Sequence, residues 1–414
     1  MENVLTILLA GGAGERLHPL TRQTAKPAVP FGGIYRIIDF TLSNCINSGL
    51  RRIFVLTQYK ALELQRHLRE GWNFFAGEMG EFIEPIPPMK RVHEDWYLGT
   101  ADAVYQNLES IEHEKPSHVL ILSADHIYKM DYTEMINWHR MYDAEVTIGT
   151  IQVHPSEARR LGVVNINPAT YAIQGFEEKP QHGNPTPSAF DPAMVSASMG
   201  IYVFNTGTLL EALRRDAEDH NSAHDFGKNV LPALIDQRRV VAYDFRDLNA
   251  KSVRYWRDVG TIDAYYEANI DLVNVSPEFN LYDTAWPIRT RMPQAPPAKF
   301  VFAQEGRRMG VATDSIVSPG VIVSGARVHR SILSPGVRVN SYSEVDSSIL
   351  LPGVNIGRYC RIHRAIIDSG VQLPEGTVLG ENHEADLAAG CHITPGGVVV
   401  LSNHSPARLT ALAT

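Results

Sequence analysis

Residues 316–339 read IVSPGVIVSGARVHRSILSPGVRV, and this stretch decides the architecture of the C-terminal part of the chain. Aliphatic residues recur in it every six positions, and the series begins again at Leu333, 17 positions after Ile316. Three six-residue steps, shortened by one residue at a corner, make one coil of a three-sided parallel β-helix. The residues of this series are Ile316, Ile322, Val328, Leu333, Val339, Val345, Leu350, Ile356, Ile362, Ile367, Leu373 and Leu379.

An alternative interpretation is a run of antiparallel strands, which favours period two and irregular turns. Glycines that recur at nearly the same interval as the aliphatic series favour the solenoid instead. These glycines are Gly320, Gly336, Gly353 and Gly370. The repeats make about four coils, and each coil buries only one aliphatic residue per side. We therefore expect the exposed coils at the two ends to pack on the rest of the chain or on another subunit.

The length of the chain, 414 residues, predicts more than one hydrophobic core. A segment dense in proline precedes the repeats and is typical of a semi-rigid connector. We therefore predict one domain over 1–275, a connector over 276–300 and the β-helix domain over 301–414. The prolines of the connector region are Pro277, Pro287, Pro293, Pro296 and Pro297.

The first domain alternates short apolar runs with helical patterns, which predicts an open, mostly parallel α/β sheet covered on both faces. Ligands of such sheets bind beyond the carboxyl ends of the strands, where the strand order reverses. The predicted strands are Val4–Leu9, Ile53–Thr57, Val119–Ser123 and Val146–Ile151, and the predicted helices include Lys60–Arg69, Ala101–Glu109 and Tyr132–Tyr142.

Composition excludes several classes of protein. The net charge of −8 argues against a nucleic-acid partner, which normally meets a basic face. No apolar stretch approaches the roughly 20 residues that span a bilayer, so we expect no membrane partner. The three cysteines are scattered without metal-ligand spacing, which favours a reducing compartment. We therefore expect a cytoplasmic protein.

A glycine cluster, Gly11-Gly12-Ala13-Gly14, lies between the first strand and Arg16. Glycines let backbone N–H groups approach an anion, and a helix N-terminus after the loop favours negative charge. The loop is not a Walker loop, because no Gly-Lys-Ser/Thr closes it, and it is not a clean dinucleotide fingerprint, because Leu17 takes the third glycine position. A plain tight turn remains an alternative. Arg16 and Lys26, two cations in one region, favour a triphosphate ligand.

Two aspartates suggest a metal site. Asp125 follows an apolar strand, and Asp258 offers a second carboxylate. A lone aspartate at a strand end is more often a helix cap, but paired carboxylates and substrate phosphates are what Mg²⁺ prefers. Imidazole is a poor Mg²⁺ ligand, so we assign His126 a structural role. Lys179 has the ordinary interpretation of a solvated charge, although Pro180 stiffens the chain after it.

Longer motifs are more specific. Lys26–Gly33 read KPAVPFGG and Tyr35–Phe40 read YRIIDF. With the glycine loop, they resemble the signature of bacterial glucose-1-phosphate adenylyltransferases. The similarity covers most of the chain, including the solenoid. Further matching segments are LSNCINSG at 42–49, WYLGTADA at 96–103, DHIY at 125–128, EEKP at 177–180, SMGIY at 198–202, HDFG at 224–227 and YWRDVGT at 255–261.

The resemblance implies an enzyme that joins ATP and glucose 1-phosphate into ADP-glucose and pyrophosphate, the glucosyl donor for glycogen synthesis. It implies a Rossmann-like nucleotidyltransferase domain followed by a left-handed parallel β-helix domain for regulation and oligomerisation. The implied catalytic residues are Arg16, Lys26, Asp125 and Lys179, and the implied Mg²⁺ ligands are Asp125 and Asp258. ATP is expected at Gly11, Gly12, Gly14, Arg16, Lys26, Gln58, Gly99 and Thr100, and glucose 1-phosphate at Tyr97, Gly162, Glu178, Lys179, Ser198, Asp225 and Trp256.

The same resemblance implies a homotetramer with sugar-phosphate or carboxylate activators and an adenine-nucleotide or phosphate inhibitor. Two departures bear on it: Ala124 stands where glycine is common, and Gln23-Thr24 replace basic residues of members activated by fructose 1,6-bisphosphate. We therefore expect weakened activation by that bisphosphate. Two rival functions are an enzyme making UDP-N-acetylglucosamine, whose solenoid is longer, and a non-catalytic regulatory subunit.

Overall fold

A computed structural model describes residues 3–12, 14–88, 96–181, 185–249, 254–304 and 306–403. Its first part is built on a nine-stranded mixed sheet. The central strands are parallel, whereas Val195–Asn205 runs antiparallel to its three neighbours. From one edge the strands are Ile173–Glu178, Gly162–Ile166, Val195–Asn205, His118–Ser123, Val4–Ala10, Arg52–Thr57 and Phe82–Ile86, with Val146–Val153 and Val240–Asp244 paired beyond Val195–Asn205.

The strand order reverses beside the first strand. The chain passes from Val4–Ala10 to Arg52–Thr57 on one side and returns to His118–Ser123 on the other. A crevice at such a switch point is where open α/β sheets bind ligands. Gly11 follows one of the two strands that border it, and Asp125 follows the other closely.

Both faces of the sheet are covered by helices, as predicted for this fold. Leu8 and Val55 belong to one hydrophobic cluster, whereas their strand neighbours Ile7 and Leu56 belong to another on the opposite face. Alternate residues of a strand point to opposite faces, so continuous apolar strands require cover on both. No described helix is long and apolar enough to cross a membrane. The α-helices of the first part are Ile37–Asn47, Leu62–Gly71, Thr100–Tyr105, Leu108–Glu114, Tyr132–Met141, Thr206–Glu218, Leu231–Ile235 and Ile262–Asp271. One further α-helix, His383–Ala388, lies in the C-terminal part.

A buried histidine makes this domain sensitive to acid. His139 hydrogen bonds with Thr147 Oγ1 at 2.8 Å and with Asn205 Oδ1 at 3.2 Å, and burial lowers its pKa to about 4. An unfolded histidine takes up its proton near pH 6.5, so this group lowers the free energy of unfolding as pH falls from 6.5 to 4, by up to ~3 kcal/mol. We expect His139→Gln to flatten this dependence in denaturant titrations. His113→Gln, at an exposed position, is the control, and equal slopes in both variants would refute the assignment.

The predicted connector contains no regular helix or strand between Asp271 and Lys299, a range that the structure describes throughout. It is nevertheless fixed along the helix Ile37–Asn47. Trp286 Nε1 donates to Asn44 Oδ1 at 2.8 Å, and Thr290 Oγ1 donates to the buried Asp39 at 2.6 Å. These bonds make the connector an ordered strap.

The C-terminal part is a β-helix with three sheets of stacked parallel strands, as predicted for this fold. Two sheets contain five strands each, which is one more coil than the aliphatic series predicts. One sheet consists of Lys299–Val301, Ile322–Ser324, Arg338–Val339, Asn355–Ile356 and Gln372–Leu373. The second consists of Val311–Thr313, Arg327–His329, Glu344–Asp346, Arg361–His363 and Val378–Leu379. The third consists of Ile316–Val317, Ile332–Leu333, Ile349–Leu350, Ala365–Ile367, Val399–Leu401 and His392–Ile393.

The predicted series is wrong by one residue at its first two members. Leu333 pairs with Val317 rather than Ile316, and Val339 pairs with Val323 rather than Ile322. The corner around Gly325 is one residue shorter than the later corners, so Val323 and Val328 are only five positions apart, compared with six from Val339 to Val345. Counting back six positions from Val328 therefore gave Ile322, whereas the residue in register with the inward-facing Val339 is Val323.

This register gives a direct test of the corner. Val323 is fully buried in the solenoid core, whereas Ile322 is only half-buried. We expect Val323→Ala to lower the free energy of unfolding by about 2 kcal/mol, because it removes methyl groups and leaves a cavity. Ile322→Ala, although it removes more atoms, is expected to cost less. Chemical denaturation of both variants measures the difference, and a larger loss at Ile322 would contradict the register.

The solenoid packs directly on the first domain. One hydrophobic cluster contains Phe31 and Tyr265 from the first domain together with Ile332 and Ile349 from the β-helix. Tyr266 also donates its hydroxyl proton to the carbonyl of Ser347 at 2.6 Å. The two parts therefore share a core along one side of the β-helix.

Candidate active site

Two adjoining cavities open at the switch point of the sheet. The first, of about 350 Å³, is lined by Gly11, Gly12, Lys26, Gln58 and Gly99 among others. The second, of about 230 Å³, contains the expected sugar-side residues. Five residues border both cavities: Leu9, Thr100, Ser123, Asp125 and Asp225. The arrangement has room for two ligands that meet at Asp125.

The glycine loop forms one wall of the first cavity. A side chain at Gly11 would lie 3.2 Å from Gln58 Oε1, which explains the glycine. Gly14 is in the left-handed region, with φ 65°, and its carbonyl accepts a hydrogen bond from Thr21 Oγ1 at 2.7 Å. Gly14 shapes the turn and does not border either cavity.

We expected an α-helix to begin directly after the glycine loop, and none of the described residues between Gly14 and Arg36 forms one. A single 3₁₀ turn, Glu15–Leu17, takes its place, and the first α-helix begins at Ile37. A helix of fewer than two turns has little macrodipole. The phosphate-binding capacity of this loop therefore rests on its own backbone N–H groups and on nearby cations.

Lys26 lies between the two predicted metal-ligand carboxylates. Its Nζ is 2.7 Å from Asp125 Oδ2 and 3.0 Å from Asp258 Oδ1, and its residue is only 6% exposed. Burial alone would lower the pKa of Lys26, but the charges of the two aspartates outweigh it and raise that pKa. Burial likewise opposes ionisation of Asp125, yet Lys26 and His126 hold the pKa of this carboxyl far below its usual range. Lys26 and Asp125 are therefore both charged at neutral pH.

A two-stranded ribbon sets the distance between the two carboxylates. Trp256–Asp258 pairs antiparallel with His126–Tyr128, so Asp258 is directly opposite His126. Gly260 leaves room for the carboxylate, because a side chain there would lie 2.9 Å from both of its oxygens. Arg16 Nη2 is 4.0 Å from Asp258 Oδ2. The strand pairing thus brings residues 133 positions apart into one electrostatic cluster.

The acidic pair fits a divalent cation. Two hard carboxylates converge on one ammonium group, and oxygen atoms of this kind are the ligands that Mg²⁺ prefers. One ligand-type atom each from Asp125, His126 and Asp258 lies within 4.8 Å of the others. His126 Nε2 is 3.4 Å from Asp125 Oδ1 and its Nδ1 is buried without a partner. His126 thus contacts Asp125, and its structural role stays a prediction.

Glu178 occupies a recess between two glycines in the second cavity. A side chain at Gly162 would lie 2.8 Å from Glu178 Oε2, and one at Gly227 would lie 2.5 Å from the same oxygen. Lys179 Nζ is 2.8 Å from Glu178 Oε1 and its side chain is 54% exposed. The Lys179 backbone has φ 50°, in the left-handed region that non-glycine residues adopt uncommonly. A side chain at Gly162 would also lie 2.5 Å from Phe176 Cζ, so the Phe176 ring and Glu178 together explain why Gly162 is a glycine.

The remaining sugar-side residues line the second cavity with one exception. Ser198 lies at a bulge in its strand, and its Oγ accepts a hydrogen bond from Gly200 N at 3.2 Å. Trp256 Nε1 is buried without a partner, so its N–H is available to a ligand. Tyr97 borders the first cavity instead, where its carbonyl accepts a bond from Gln58 Nε2 at 3.5 Å.

Asp225 and Thr100 join the two cavities. Thr100 Oγ1 donates to Asp225 Oδ2 at 3.0 Å and accepts from Phe226 N at 3.0 Å. The other oxygen of Asp225 accepts bonds from Gly227 N and Lys228 N. The family resemblance implied that Thr100 binds ATP and Asp225 binds glucose 1-phosphate, and the structure joins the two residues by a hydrogen bond.

Comparison with known proteins identifies the family. The nucleotidyl transferase family matches residues 5–274, and the GlmU-like C-terminal hexapeptide family matches residues 296–401. The chain is 60% identical over 403 residues to the glucose-1-phosphate adenylyltransferase of Koribacter versatilis, covering 97% of this chain and 96% of the relative. It is 53% identical over 405 residues to the enzyme of the same name from Rhodopirellula baltica, covering 97% and 90%. This chain belongs to the glucose-1-phosphate adenylyltransferase family.

The family assignment confirms the resemblance and removes the first rival function. The hexapeptide match is shared with the GlmU type, but the relatives that match over nearly the whole length carry the adenylyltransferase name. Ala124, the departure noted beside the metal site, is fully buried in the hydrophobic core with Leu122 and Tyr128. Its methyl group therefore packs into the core of the adenylyltransferase domain.

Proposed function

We propose that this protein catalyses the transfer of the adenylyl group of ATP to glucose 1-phosphate, which yields ADP-glucose and pyrophosphate. The observation that carries the proposal is the meeting of two cavities at the Asp125–Lys26–Asp258 cluster. A reaction that joins two phosphate-bearing substrates needs such a site. The product would be the glucosyl donor for glycogen synthesis, in a cytoplasmic setting.

The chemistry is an in-line displacement. An oxygen of the sugar phosphate attacks the α-phosphorus of ATP, a new P–O bond forms, and the bond to pyrophosphate breaks. The first cavity, with Gly11, Gly12 and Gln58, suits the nucleotide, and the second, with Glu178 and Lys179, suits the sugar phosphate. Holding the two substrates at one boundary supplies proximity and orientation. Tyr97, which borders the first cavity, fits the nucleotide better than the sugar.

Positive charge supplies the rest of the catalysis. Lys26 and Arg16 are close to the boundary between the cavities and offset the charge that develops on the phosphates. Asp125 and Asp258 would hold Mg²⁺, which when bound neutralises phosphate charge and orients the reacting groups. Lys26 is then free to turn from the two carboxylates to the phosphates. We assign no covalent intermediate, because the three cysteines are buried and none of them borders either cavity.

Regulation and assembly are part of the proposal. We infer a homotetramer that responds to sugar-phosphate or carboxylate activators and to an adenine-nucleotide or phosphate inhibitor. Exposed aromatic rings at one corner of the solenoid support contact with another subunit. Tyr342 and Tyr359 stack there with ring centroids 4.8 Å apart and are 40% and 52% exposed. Sedimentation of the purified protein tests the assembly.

The decisive experiment measures pyrophosphate release with glucose 1-phosphate and ATP, UTP or dTTP in turn. ATP is expected to be the preferred substrate by at least tenfold in kcat/KM. Preference for UTP or dTTP would overturn the adenylyl assignment, and absence of release with every triphosphate would favour a regulatory subunit. Repeating the assay with candidate effectors tests regulation. Strong activation by fructose 1,6-bisphosphate at low micromolar concentration would refute the weakened response expected from Gln23-Thr24.

A further inference from the structure

One cation of the second cavity, Arg160, forms no ion pair with a described carboxylate, although it also borders a neighbouring cavity that contains acidic residues such as Glu157 and Asp271. The cavity is bordered by three cationic side chains, Arg16, Arg160 and Lys179. Lys179 pairs with Glu178 at 2.8 Å, and Arg16 approaches Asp258 at 4.0 Å. In the described ranges, no carboxylate oxygen lies within 4.0 Å of the Arg160 guanidinium. Arg160 was not among the residues that the sequence motifs singled out.

The backbone fixes Arg160 close to Lys179. Arg160 ends a 3₁₀ helix, and Leu161 follows it. The carbonyl of Leu161 accepts a hydrogen bond from Lys179 N at 3.0 Å, immediately beyond the pair formed by Gly162 and Glu178. The backbones of Arg160 and Lys179 therefore lie at adjacent strand ends, and both residues border the cavity.

We propose that Arg160 binds the phosphate group of the sugar phosphate together with Lys179. The inference rests on the proposed function and names a residue that its family motifs do not include. A guanidinium is planar and offers paired N–H donors that match two phosphate oxygens, whereas the Lys179 ammonium is a compact point charge. Lys179 shares its charge with Glu178, so an unpaired guanidinium beside it supplies the positive charge that a dianionic phosphate requires.

The test uses Arg160→Gln in the full-length protein. Removal of one charge-assisted contact is expected to raise KM for glucose 1-phosphate about tenfold, with KM for ATP and kcat changed less than threefold. Arg160→Lys should recover only part of the loss, because it restores charge without the paired donors. Arg159→Gln is the matched control: it removes the neighbouring exposed arginine, which does not border the cavity, and should leave both KM values unchanged.

A binding measurement separates this inference from the proposed function. Calorimetric titration of glucose 1-phosphate, without nucleotide, should show a Kd about tenfold weaker for Arg160→Gln than for the unmodified protein. If the unmodified protein forms ADP-glucose but Arg160→Gln has the same KM and Kd, Arg160 has no role and the proposed function stands. If KM for ATP rises instead, the guanidinium serves the triphosphate and the inference fails. If no ADP-glucose forms at all, the proposed function fails, and the titration still decides the role of Arg160.

Discussion

Replacement of Asp125 by asparagine is expected to lower kcat for pyrophosphate release about 1,000-fold, the order reported for loss of a central electrostatic group. The change removes a negative charge that contacts Lys26 at 2.7 Å and leaves the shape of the side chain intact. A divalent cation would lose one of its two carboxylate ligands. Lys26 would keep Asp258 at 3.0 Å and could no longer share its charge between two partners.

The Asp125→Asn experiment needs a control for folding. Asp143→Asn is suitable because the Asp143 side chain is 98% exposed and remote from the cavities. Both variants should unfold cooperatively, with Asp125→Asn less stable by a few kcal/mol at most, since Asp258 still pairs with the buried lysine. Turnover of Asp125→Asn at the rate of the unmodified protein would end the metal-site assignment.

The second large effect is expected at Gly99, for a steric reason. A β-carbon at this position would lie 2.2 Å from the carbonyl oxygen of His224 and 2.5 Å from that of Ala223. The neighbours are backbone atoms, so no side-chain rotation relieves the overlap, and the two segments must separate. That movement would break the bond from Ala101 N to the His224 carbonyl, now 2.8 Å, and pull Thr100 away from Asp225.

We therefore expect Gly99→Ala to lower kcat/KM at least 100-fold and the free energy of unfolding by ~3 kcal/mol, as in overpacked sites. Gly207→Ala is the matched control, because a β-carbon there has no atom within 4 Å and the residue is in a helix. Alanine in a helix is favoured over glycine, so the control should be slightly more stable. Steady-state kinetics and denaturant unfolding measure both effects. Normal kcat/KM in Gly99→Ala would show that the contact between the two segments is dispensable.

The repeat architecture was predictable because a solenoid repeats one local rule. Inward aliphatic residues and corner glycines recur in the sequence with the coil itself. The register error at Ile316 and Ile322 had a signal that the aliphatic series did not use. Gly320 and Gly336 are 16 positions apart, whereas Gly336, Gly353 and Gly370 follow at intervals of 17. The first glycine interval already contains the shorter corner around Gly325.

The candidate site was predictable in its members and less so in their arrangement. Motifs named Lys26, Asp125 and Asp258, but the ion pairs among them depend on a strand pairing that joins Asp258 to His126, 132 positions apart. The recess around Glu178 needs Gly162 and Gly227 from two other segments, and only Gly162 was expected as a site residue. Distances of this kind follow from the fold as a whole, so local patterns do not contain them.

The position of Lys26 between two carboxylates has a consequence for the order in which ligands arrive. Without substrates, the Lys26 ammonium lies between the carboxylates of Asp125 and Asp258, so a free dication meets a competing cation. A triphosphate changes this balance, because its oxygens attract the lysine and add ligands for the ion. We therefore expect a divalent cation to bind together with the nucleotide and only weakly to the protein alone.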